Sequence, residues 1–159
     1  MPMPNTNSST DFFAVGPVTD YVNHRAPFLF IDGAQVNAEM SEARSVRRFR
    51  SDEWFFNGHF PEEPIVPGVI LLELAAQTAN LLLSRRAKRV AHAYLVNADA
   101  VSFKSPVRPG DQVSAGVSFA RIPDRDADLK PGGFFFFRTS VLHDNRPCMR
   151  AQLSVFWAK

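Results

Sequence analysis

Two side chains in this 159-residue sequence have the type and setting for proton transfer: His59, in Phe55-Phe56-Asn57-Gly58-His59-Phe60-Pro61, and Glu73, fourteen residues later. After the Glu62–Glu63 pair, Glu73 is the one ionisable side chain in an apolar run that extends to Leu83. A carboxylate in apolar surroundings is costly unless paired, so Glu73 is either kept protonated, ready to donate, or bonded to a partner. Imidazole gains and loses protons near neutral pH, and a histidine beside a carboxyl group suits general acid–base chemistry. An arginine partner for Glu73 stays open, since fourteen arginines are present. Gln77, one helical turn on, either orients the Glu73 carboxyl or is a satisfied core amide. Gly68 stands where a helix N-terminus would present free N–H groups to a carbonyl oxygen, although plain helix-entry geometry also explains it. His24, His92 and His143 lack such a context and read as structural or surface residues.

The elements that must position these groups follow from periodicity. From Pro67 the pattern is helical: Val69, Leu72, Ala76, Ala79 and Leu83 form one face, with Glu73, Gln77, Asn80 and Ser84 as a polar stripe beside it. So little solvent face remains that this helix is expected to be wrapped on nearly every side. Arg85, Arg86, Lys88 and Arg89 end it and return the chain to water. Before the helix, Phe28–Val36 and Ala43–Phe49 read as strands, and Asp52–Phe60 as a turn or short helix. After it, Val113–Phe119 alternates with period two, Phe134–Leu142 is aromatic and β-branched, and Cys148–Trp157 alternates again. Asp144–Pro147 reads as a hairpin turn and Pro123–Gly133 as a mobile loop. Everything after the helix reads as strand, so the order is two strands, one long helix and four strands, three of them the segments just named. A curled antiparallel sheet around one central helix, an α+β architecture, satisfies it.

Composition narrows the function classes. Fifteen Phe against two Tyr and two Trp supply bulk without polar handles, suiting a large core, an apolar tunnel or a hydrophobic subunit interface. A net charge of +2 is too small to argue for nucleic acid, but it is compatible with an acidic protein or a phosphate-bearing ligand. The single Cys148 leaves no intramolecular disulfide and points to a reducing compartment, here the cytoplasm. Glu73, Gln77, Thr78 and Asn80 inside the apolar run argue against a membrane span. Residues 1–19 read as a flexible tail without signal-peptide order, and 20–159 as a single domain. Nucleophile elbow, phosphate loop, dinucleotide fingerprint and metal-ligand spacing are all missing from the sequence.

Three ordered stretches resemble one family. His24-Arg25-Ala26-Pro27-Phe28-Leu29-Phe30-Ile31-Asp32 is similar to its opening motif. Phe56 to Pro61, then Pro64, Pro67-Gly68-Val69 and Glu73 to Gln77, are similar to its central motif, and Phe103 to Gln112 to a third. By these the chain resembles the (3R)-hydroxyacyl-[acyl-carrier-protein] dehydratases, which have a hotdog fold. The resemblance implies a lyase of fatty acid or related acyl-chain biosynthesis, acting on acyl groups carried by acyl carrier protein and needing no cofactor beyond the phosphopantetheine arm. It implies a homodimer, in some members a trimer of dimers, with His59 from one subunit and Glu73 from the other as catalytic residues. Gly68, Gln77, Phe60 and Val69 would lie at the substrate. Glu rather than Asp at position 73 implies dehydration without isomerisation. Asp52-Glu53-Trp54, Val90–Val101, Pro123–Gly133 and Phe134–Phe137 depart from the usual wording. A thioesterase on the same fold and a non-catalytic acyl-thioester-binding subunit are the rival readings.

Overall fold

The computed structural model describes residues 11–159. Seven strands form one antiparallel sheet: β1 (Phe12–Ala14), β2 (Gly33–Asn37), β3 (Glu42–Arg48), β4 (Ala93–Phe103), β5 (Gln112–Phe119), β6 (Phe134–His143) and β7 (Arg146–Trp157). Their spatial order is β1-β2-β3-β5-β6-β7-β4, and the single long helix α1 (Gly68–Ala87) packs chiefly on β5 and β3. The expected α+β architecture is therefore present.

The strands form because their alternation meets the helix. Val113, Ala115, Val117 and Phe119 of β5, with Phe135, Phe137 and Val141 of β6, turn inward and are buried against the leucines of α1. The turn between β6 and β7 is Asp144–Asn145, both at positive φ (48° and 62°), the backbone twist a two-residue hairpin needs. At its far end α1 stops where Lys88 adopts a left-handed φ of 56°.

Four expectations need correction. Strand β1 and a 3-10 turn over Val18–Asp20 occupy part of the stretch assigned to the tail, so three strands precede the helix; residues 1–10 of that stretch lie outside the described residues. Phe28–Asp32 is not strand. The Gln77 side chain accepts from Phe30 N–H (2.9 Å) and donates to the Phe28 carbonyl (2.8 Å), bonding this backbone as a neighbouring strand would. Arg85 and Arg86 do not simply face water. The first donates to Tyr21 Oη, the second to the carbonyls of Glu39 and Met40. The 123–133 loop contains a 3-10 turn at Asp126–Asp128 and buries Leu129 against the core.

The wrapping of α1 is also incomplete. From Leu74 to Ser84 every residue is buried, yet Val69 in the first turn is 68% exposed. Close to it runs β4, an edge strand of eleven residues without one fully buried side chain. Tyr94, Leu95, Val96, Val101 and Phe103 are all exposed there.

Candidate active site

His59 is held by its own turn. Phe55 and Phe56 are buried and pack edge to face at 4.8 Å, anchoring a 3-10 turn over Trp54–Asn57. The Phe55 carbonyl accepts from the His59 N–H at 3.0 Å, and the His59 carbonyl accepts from Ile65 N–H at 2.9 Å. The Phe60 ring stacks on the imidazole at 4.2 Å while remaining exposed itself. One contact sets the chemistry: His59 Nδ1 lies 3.1 Å from the Ile65 carbonyl oxygen. A carbonyl only accepts, so Nδ1 carries a proton, and in the neutral ring it is Nε2 that presents the lone pair, the form a general base requires.

Ile65 also lines an apolar cavity of about 430 Å³ with Val66, Leu71, Phe103, Val107 and Cys148. Gly68 and Val69 border the same cavity, and Lys104 adds a cation to it. Gly68 heads α1, where the first N–H groups have no intrahelical acceptor. A side chain at this position would not fit, since a Cβ would lie 2.7 Å from the Phe103 ring. The Phe103 ring thus packs directly on Gly68, and only glycine lets the first turn of α1 come this close to the cavity wall.

Glu73 sits one turn further along α1, in a small recess shared with His24, Gln77 and Leu95. Its Oε1 accepts from Gln77 Nε2 at 2.9 Å and lies 3.3 Å from His24 Nε2. Of the two readings left open for Glu73, the structure shows the partnered one, with Gln77 and a histidine rather than an arginine beside the carboxyl. His24, read from the sequence as structural or surface, is the residue that sequence reasoning missed. Its only signal was its place in the opening motif. Gln77 is 1% exposed and serves both roles considered for it, as core amide and as support for the Glu73 carboxyl. It makes no contribution to the cavity wall, where Gly68 and Val69 do. Among the described residues His59 and Glu73 share neither a hydrogen bond nor an ion pair; each is held by other partners.

A model of the ApeI-like family, described as ApeI dehydratase, matches residues 35–127. The FabZ 3-hydroxyacyl-[acyl-carrier-protein] dehydratase of Albidiferax ferrireducens is 35% identical over 135 residues, 82% of this chain and 85% of that protein. The chain belongs to this dehydratase family. Its sheet and helix are those of the hotdog fold. The dehydratase heterocomplex ApeI:P of Xenorhabdus doucetiae matches with a TM-score of 0.72 at 15% identity, covering 90% of this chain and 91% of that one. A hypothetical thioesterase with coenzyme A from Streptococcus pneumoniae matches with a TM-score of 0.55 at 8% identity, over 73% of this chain and 77% of that one. At such identities both likenesses are of fold alone. No described helix is long and apolar enough to cross a membrane.

Proposed function

We propose that this protein is a 3-hydroxyacyl-[acyl-carrier-protein] dehydratase, converting (3R)-hydroxyacyl thioesters to trans-2-enoyl thioesters in fatty acid or related acyl-chain biosynthesis. The observation that carries the reading is His59, its Nδ1 proton committed to the Ile65 carbonyl and its turn set against the apolar cavity headed by Gly68. The acyl chain lies along Val66, Leu71 and Val107. The thioester carbonyl points at the N–H groups of the helix start, which stabilise the enolate. His59 Nε2 removes the α-proton, and the protonated Glu73 carboxyl gives its proton to the departing β-hydroxyl, releasing water. The proton on His59 then leaves through solvent as Glu73 takes one up, so the cycle closes without net change. The acyl group arrives on the phosphopantetheine arm of acyl carrier protein in the cytoplasm, and no other cofactor takes part.

His59 and Glu73 meet across a homodimer interface in this reading. A long edge strand with exposed apolar side chains is a pairing hazard unless another chain covers it. In this sheet that edge is β4, beside the exposed Val69 and the Glu73 recess. Pairing β4 with β4 of a second copy joins the sheets and sets each helix start against its partner. Some assemblies extend to trimers of dimers. The double variant Val96→Asp/Val101→Asp should sediment as a monomer and lose turnover together with dimerisation; a variant still fully dimeric would rule out this edge.

The functional test is direct. Purified protein given 3-hydroxyacyl thioesters of graded chain length should form enoyl absorbance without releasing thiol, and the best chain length measures the tunnel. Thiol release would mark a thioesterase instead. Tight binding without either product would mark an acyl-binding subunit.

A further inference from the structure

His24 Nε2 lies 3.3 Å from Glu73 Oε1, a contact that the proposed mechanism does not use. We infer that His24 is a positioning residue for the acid step, acting with Gln77 to hold Glu73 Oε1 as an acceptor so that the transferable proton sits on Oε2. The inference rests on the dehydratase reading above.

The argument begins with Gln77, whose amide cannot be flipped. Its oxygen accepts from Phe30 N–H and its nitrogen donates to the Phe28 carbonyl, so the –NH₂ group is the part that faces Glu73. Glu73 Oε1 is therefore an acceptor in that contact. His24 Nε2 approaches the same oxygen, at 3.3 Å. Its other nitrogen, Nδ1, is buried with no hydrogen-bond partner, so a proton there would have nothing to accept it. The tautomer these surroundings favour carries its proton on Nε2, the nitrogen 3.3 Å from Oε1.

With the Gln77 N–H on Oε1 and His24 Nε2 beside the same oxygen, a neutral carboxyl has one place for its hydrogen, Oε2. No hydrogen bond from the described residues reaches Oε2. The proton is thus carried on the oxygen free to meet a ligand. When it passes to the leaving hydroxyl, the carboxylate that remains still faces the His24 and Gln77 N–H groups, which stabilise it. The neighbouring side chains support the pose: Asn23 Nδ2 lies 2.9 Å from His92 Nδ1, and His92 Nε2 lies 2.8 Å from Tyr94 Oη, tying the His24 segment to β4.

The experiment separates acid assistance from everything else by changing the leaving group. A 3-hydroxyacyl thioester of N-acetylcysteamine needs a proton delivered to its oxygen; the 3-chloro analogue loses chloride without one. His24→Ala should lower kcat on the hydroxy substrate by about 10²-fold, the scale of a small misplacement in an active site, with KM little changed. On the chloro substrate, above its enzyme-free background, the same variant should stay within about threefold of the parent, since base and oxyanion donors are intact. His24→Gln keeps an N–H donor and should recover most of the loss, which also guards against an Ala variant that folds poorly. Equal slowing on both substrates, or full hydroxy activity in His24→Ala, would overturn the role of His24 alone. A parent protein that eliminates from neither substrate would bring down the dehydratase reading and this inference together.

Discussion

Equal mixing of His59→Ala and Glu73→Gln, each inactive alone, is expected to restore about one quarter of parent activity. Each substitution removes a proton-transfer group and should lower turnover by about 10²–10⁴-fold by itself. The Nε2 lone pair of His59 has no substitute in Ala, and the amide introduced at position 73 has no proton acidic enough to give. The mixture then reports geometry. In a two-fold dimer whose sites draw His59 from one subunit and Glu73 from the other, a mixed dimer carries one doubly damaged site and one intact site. Random exchange makes half the dimers mixed, so about a quarter of sites recover. If both residues served a site within one chain, no mixed dimer would contain an intact site and activity would stay at the level of the single variants. The measurement is enoyl formation after refolding or co-expression of the two variants, with each alone as control.

Gln77→Leu should cost the most in stability for the smallest change in volume. The amide is buried and bonds the Phe30 N–H, the Phe28 carbonyl and the Glu73 carboxyl at once. Leucine fills the space but leaves these groups without partners, at about 1–3 kcal/mol for each one that stays buried. A loss of about 3 kcal/mol in unfolding free energy follows, or about 10 °C in Tm for a domain of this size. Chemical denaturation of parent and variant checks it. Turnover should fall as well, because Glu73 loses one of its two holds and the Phe28–Ile31 backbone its strand-like partner. A variant as stable as the parent would mean that water or a shifted backbone satisfies the same groups.

The two results bear on different levels of the molecule. The first asks whether chemistry is assembled between copies of the chain. The second asks whether one side chain serves fold and site together. Gln77 does so because α1 is buried along that stripe: a polar group there must find partners, and those nearest are the backbone after Pro27 and the carboxyl one turn earlier.

Much of this was legible in the residues themselves. The long helix beginning at Pro67 followed from its periodicity, and β5, β6 and β7 from alternation, because a side chain's face is set by spacing along the chain. His59 and Glu73 stood out for their settings, and Gly68 for its place at the helix start. The small departures have local causes: Phe28–Val36 reads as a strand, but Gln77 replaces a ladder partner over its first half. What spacing could not show is contact between elements distant in sequence. His24 lies forty-nine positions before Glu73, and only the packing of the first loop on α1 brings its ring to 3.3 Å from the carboxyl. The tautomer of His59 likewise depends on where the Ile65 carbonyl falls after the turn. The sequence alone determined which groups could move protons; tertiary structure decided which atoms of those groups are occupied and which are free, because a hydrogen bond depends on position in space and periodicity fixes only a face.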